Sequence, residues 1–263
     1  MIAYFSVALA ALFVSCLTFY SGFGLGTMLM PVFALFFPVQ SAVAATAMVH
    51  GANNILKVFV VGKHADRGVV LRFGLPAMLA AFAGAAALGY AARFAPVATY
   101  TVGSFPASIT PLKLLIAGLM VIFAMFELVP KLSSLRIDRK YLVLGGLLSG
   151  FFGGFSGNQG ALRATFLTKM DLSTEAFVGS NAMIAFMVDV ARITVYGMVF
   201  WLSPETAGLT AGQAPLIVTG GIAAFAGTLL GKQFLHKITM NYVKNLTGAL
   251  LLLIAVLLGA GLV

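Results

Sequence analysis

The sequence predicts an all-α polytopic membrane protein of about ten helices in two inverted five-segment repeats, and three observations carry that prediction. Hydrophobic residues make up 61% of the 263-residue chain and charged residues only 9%, with a mean hydropathy of +1.05, whereas soluble domains carry roughly 25% charged residues. Apolar runs recur from end to end and leave no stretch for a soluble domain. The second half echoes the first.

The runs, in order, are 2–20, 26–38, 41–62, 73–92, 112–130, 141–153, 160–170, 174–202, 213–231 and 242–263, each bounded by polar or Gly/Pro punctuation. The first has no basic n-region and no small-residue cleavage site, so it reads as a retained segment. The second follows the Gly-rich GFGLG (22–26) and covers only ~20 Å of a ~30 Å hydrocarbon core. The third carries His50, Asn53, Asn54 and Lys57, with 50, 53 or 54, and 57 on one helical face. The fifth ends near Glu127, which reads as a surface pair with Lys131 at i+4. GFSGNQG (154–160) separates the sixth from the seventh, which covers ~17 Å and is again too short to span. The eighth carries Asn181, Asp189, Arg192 and Tyr196 on one face.

Charge sets the orientation. Lys63, Arg67, Arg72, Lys131, Arg136, Arg139, Lys140, Lys232, Lys237 and Lys244 fall in or beside alternate linkers, while 93–111 and 203–212 hold only Arg93 and Glu205 between them. The positive-inside rule makes the basic set cytoplasmic and places both termini outside. A shift of 134 residues brings Gly26 onto Gly160 and Thr46 onto Ser180; AAFAG occurs at 80–84 and 223–227, and Lys113 before Gly118 echoes Lys244 before Gly248. The predicted organisation is a first repeat, 1–130, a cytoplasmic linker, 131–140, and a second repeat, 141–263, in one membrane domain. An odd number of crossings per unit turns the copies upside down, an arrangement common in secondary transporters.

The two short runs predict hairpins whose tips, 21–27 and 154–161, meet inside the membrane, where broken backbone is tolerated only against protein or a cavity. Unpaired N–H groups at each tip favour an anion. The candidate binding set is Gly22, Gly24, Gly26, Thr27, Asn53, Asn54 and Lys57 from the first half, with Ser156, Gly157, Asn158, Gln159, Arg163, Asn181 and Arg192 from the second. His50 and Asp189 are the candidates for proton coupling. Bland readings stand beside these: glycines that serve helix packing, an Asp189–Arg192 pair at i,i+3, and a Lys57 that snorkels to the surface. By the 134-residue shift Arg163 matches Leu29 and Arg192 matches Val58, so the charges are expected to be asymmetric.

Other classes recede. The basic residues form no aromatic-interleaved patch for nucleic acid, the lone Cys16 excludes disulfides and cysteine-rich metal sites, and the twelve methionines lack a His or Cys partner. No metal site and no cofactor is expected. A membrane-embedded enzyme needs a convergent acid/base or metal set that the sequence does not offer. An anion-selective channel is the other alternative.

GFGLGTMLMP (22–31), followed by the Pro38 turn and AVAATA (42–47), with a weaker copy GFSGNQGALRAT (154–165), resembles the sulfite exporter TauE/SafE-like family over essentially the whole chain. The resemblance implies a carrier of the bacterial inner membrane moving sulfite, thiosulfate, organosulfonates or related organic anions, with membrane lipid and a small anion as its partners. Thr165 in place of Pro31, and Asn158-Gln159 within the second tip, depart from the first copy.

Overall fold

A computed structural model describes residues 1–18, 25–133, 135, 137–168, 170–202, 213–234 and 240–263. Among them each predicted run forms a helix: α1 (Ile2–Leu17), α2 (Leu25–Ala34), α3 (Val39–Val61), α4 (Arg67–Ala91), α5 (Pro111–Leu128), α6 (Leu142–Ser156), α7 (Gly160–Leu167), α8 (Thr174–Leu202), α9 (Ala214–Phe234) and α10 (Met240–Gly259). Five helices among the described residues are long and apolar enough to cross a membrane by themselves: α3, α4, α5, α8 and α9. In contrast, α2 has 10 residues and α7 has 8, ~15 and ~12 Å of helix. Local signals set several boundaries. Asp66 caps α4 by accepting from Val69 N at 2.7 Å, and Thr110 caps α5 with Pro111 at its first position. Gly157, at φ +79°, closes α6 in a left-handed turn.

Glycine determines how the helices pair. A Cβ at Gly146, Gly150 or Gly154 of α6 would strike the backbone of Phe73, Ala77 or Ala81 of α4 in turn, so the two helices run parallel in backbone contact. The repeated AAFAG does the same work twice. Its Gly84 abuts the Phe151 backbone of α6, and its Gly227 abuts the Leu12 backbone of α1, where α9 runs parallel to α1. Against these, α5 and α10 are antiparallel, with Gly248 on Leu128 and Gly259 on Ala117. So are α3 and α8, where Gly51 meets Asp189 and Ile193 while Gly179 meets Val61. Exchanging the halves, α1 for α6 through α5 for α10, maps each of these four pairings onto another or onto itself.

Two readings need correction. The 93–111 linker, read only as a connection in an all-α chain, carries strand: Ala98–Val102 (β1) and Phe105–Ile109 (β2) form an antiparallel hairpin with Val102 opposite Phe105. Alternation in ATYTV and a Gly-Ser turn at 103–104 were the signal for it. The hairpin is tied to the end of α10, because Ser108 N donates to Gly261 O at 3.0 Å and Tyr100 Oη donates to Ala260 O. Glu127 is not a surface group; it is 6% exposed, at the α5–α10 contact, within Coulombic range of Lys244.

Candidate functional site

The tips meet. Gly26, at the start of α2, is so close to the turn before α7 that a Cβ there would lie 3.3 Å from Gly157 O and 3.7 Å from His50 Cδ2. On the other side of this contact, the Cβ position of Gly157 is 3.2 Å from Arg192 Nη1. Gly22 and Gly24 lie outside the described residues. Thr27, the third residue of α2, is buried. Ser156 Oγ donates to Phe152 O at 3.0 Å and accepts from Asn158 N at 3.4 Å, which holds the second tip to the end of α6.

A carboxylate binds the two antiparallel helices together at this level. Asp189 Oδ2 lies 2.8 Å from His50 Nδ1 and accepts from Asn54 Nδ2 at 2.7 Å, both from α3. Its Oδ1 accepts from Arg192 Nε at 2.9 Å, and Arg192 Nη2 sits 2.6 Å away as an ion pair. The carboxylate requires a proton on His50 Nδ1, so the neutral imidazole keeps the Nε2 lone pair free of this bond. The result is a closed loop of contacts, from Gly26 through His50, Asp189 and Arg192 to Gly157 and back, that joins both halves of the chain.

The predicted face of α3 divides in two. His50 and Asn54 turn to α8, whereas Asn53 Oδ1 accepts from Thr228 Oγ1 of α9 at 2.6 Å and Lys57 Nζ reaches Thr18 O, at the end of α1, at 3.5 Å. Asn53 therefore stands apart from the carboxylate cluster, because it is one residue from Asn54 and so ~100° around the helix from it. Lys57 does not snorkel: it is 6% exposed. Its contact has a counterpart. Arg192 Nη1 donates to Gly153 O in the last turn of α6 at 3.3 Å, and Tyr196 Oη donates to Gly154 O. A cation from each crossing helix thus meets a carbonyl at the C-terminus of the half-length helix of its own half. The 134-residue shift pairs Lys57 with Ala191, one residue from Arg192, so the expected charge asymmetry narrows to Arg163.

Arg163, on α7, is 1% exposed. Its Nε donates to Asn181 Oδ1 at 2.6 Å and its Nη1 to Gln159 Oε1 at 3.4 Å, while Asn181 Nδ2 donates to Phe177 O. It lies within Coulombic range of Lys57, Asp189 and Arg192. Three buried cations, Lys57, Arg163 and Arg192, thus gather about the Asp189 carboxylate among the described residues. Beside them Asn158 Oδ1 and Nδ2 and Gln159 Nε2 are buried with no hydrogen-bond partner among the described residues. Each such group forfeits about 1–3 kcal/mol unless something binds it. The arrangement suits a compact anion able to accept several N–H bonds.

The family model described as "Sulfite exporter TauE/SafE" matches residues 7–258. No curated protein and no solved structure matches the chain. With the match running from the first helix to the last and covering both tips, the chain belongs to the TauE/SafE sulfite exporter family of integral membrane transporters.

Proposed function

We propose that the protein is a secondary transporter of a small oxyanion, most simply sulfite, thiosulfate or an organosulfonate, working by alternating access about the contact between its two tips. The carrying observation is that the buried Asn158 Oδ1, Asn158 Nδ2 and Gln159 Nε2, with no hydrogen-bond partner among the described residues, lie beside the buried Arg163 and Arg192 at the meeting of the tips. Arg163, Asn158 and Gln159 bind the anion together with the backbone of the tips at Gly22, Gly24, Gly26 and Gly157. Lys57 and Arg192 hold the half-helices and add to the positive field, and Asn54, Asn181, Thr27 and Ser156 position them. The halves are inverted repeats, consistent with antiparallel α3–α8 and α5–α10 pairs, and rocking of one half on the other exposes the site alternately to each side. The protein sits in the inner membrane with both termini periplasmic, as the basic linkers favour.

Proton coupling falls to His50. Asp189 is engaged on both oxygens, whereas a second proton on His50 adds a charge next to Gly26 and to the anion.

Purified protein should be stabilised by sulfite, thiosulfate or sulfoacetate in a thermal-shift panel, and proteoliposomes should show saturable uptake with counterflow of the same anion. Flux that rises linearly with concentration and lacks counterflow would identify a channel. No response to any anion in the panel would overturn the reading of the site.

A further inference from the structure

At the basic end of the bundle a groove of about 380 Å³ lies between the start of α4 and the middle of α8. Its mouth carries Lys63 and Arg67, both exposed, and its wall is Val70, Leu71, Met183 and Met187. Among the described residues no carboxylate lines it. The nearest acid along the chain, Asp66, is engaged in capping α4. The groove follows from local sequence. Gly62 and Gly74 leave room for methionine, their Cβ positions lying 3.7 Å from Met183 Cε and 3.2 Å from Met187 Sδ. A π turn over Val70–Gly74 buries Phe73 while leaving Leu71 57% exposed, and such turns are frequent at functional sites.

Two exposed cations above an apolar wall, on a chain that must meet lipid on this flank, complement an amphiphile with a negative head. We infer that this groove binds an anionic phospholipid of the leaflet at the basic end, its phosphate at Lys63 and Arg67 and its first methylenes along Leu71, Met183 and Met187. A free anion would not need the apolar wall, and a neutral lipid would not need the cations. The ligand bears on transport because the wall belongs to α8, the helix that also carries Asn181, Asp189 and Arg192. A filled groove braces α8 against α4.

The test uses purified full-length protein in mild detergent, with dioleoylphosphatidylglycerol, dioleoylphosphatidylcholine and inorganic phosphate as probes. Phosphatidylglycerol should raise Tm by about 3 °C or more, the other two by less than a third of that. Lys63→Gln with Arg67→Gln should abolish the response, while Arg139→Gln with Lys140→Gln, exposed cations outside the groove, should keep it. A photoactivatable phosphatidylglycerol should label the peptide spanning 62–71 in the wild type and be displaced by phosphatidylglycerol alone, a readout independent of how the variants fold. Equal shifts with phosphatidylcholine, a full shift with phosphate, or undiminished response and labelling in the Lys63/Arg67 variant would each overturn the assignment. Anion binding at the tips is a separate measurement, so either reading can fail while the other stands.

Discussion

Arg163 and Arg192 are both buried to within 1% of full exclusion, yet their surroundings differ, and the difference can be measured. Arg163 donates to the neutral amides of Asn181 and Gln159, whereas Asp189 keeps Arg192 as its ion-pair partner when the Arg163 charge is removed. Arg163→Gln is expected to weaken anion affinity about tenfold, ~1.4 kcal/mol, by calorimetry, with Arg93→Gln in the outer linker changing it less than about twofold. Arg192 is paired with Asp189. Arg192→Gln alone leaves a buried carboxylate without its counter-ion and should destabilise the protein by about 3–5 kcal/mol. Asp189→Asn in the same chain should restore most of that stability, and a double variant that also binds the anion within about threefold of wild type marks Arg192 as a positioning residue. Spacing along α8 predicted the pair and the shared face, since i,i+3 geometry is local. That Lys57 and Arg192 serve matching carbonyls was hidden by the one-residue offset between the repeats.

Half-length helices are stable here only because glycine lets full-length ones reach their backbones. Along α6 the stripe Gly146, Gly150 and Gly154 lies on successive turns of α4, so Gly150→Ala should cost about 1–3 kcal/mol or more through overpacking, seen as a lower Tm or loss of monodisperse protein. Gly118, with open space about its Cβ position, should accept alanine without loss. At the tips the same logic becomes functional. Gly26→Val pushes against Gly157 O and His50 and is expected to abolish anion binding while the protein still inserts in the membrane; normal binding would make Gly26 a packing residue only. The helices themselves were legible in the hydropathy runs, short ones included. The β1–β2 hairpin was missed because a chain this apolar invites a reading by helix length, and period-two alternation over five residues in a linker is a weaker signal than an 18-residue run.

At the scale of the whole molecule, the pairing pattern constrains topology. Parallel α1–α9 and α4–α6 pairs with antiparallel α3–α8 and α5–α10 pairs require the 93–111 and 131–140 linkers to lie at opposite ends of α5. In a Cys16→Ser background, Ser104→Cys in the hairpin turn should react with an impermeant maleimide from outside intact cells, and Arg139→Cys only after permeabilisation. Labelling of both from the same side would break the arrangement. Composition and hydropathy runs determined by themselves that this is an all-α polytopic membrane protein of about ten segments, because transfer from water to lipid depends on each segment's own residues. Which buried cation faces which partner was decided only in three dimensions. Asp189 meets residues of α3 139 and 135 positions away, and such contacts depend on helix rotation and on where glycine permits close approach, quantities that no periodicity along one segment encodes.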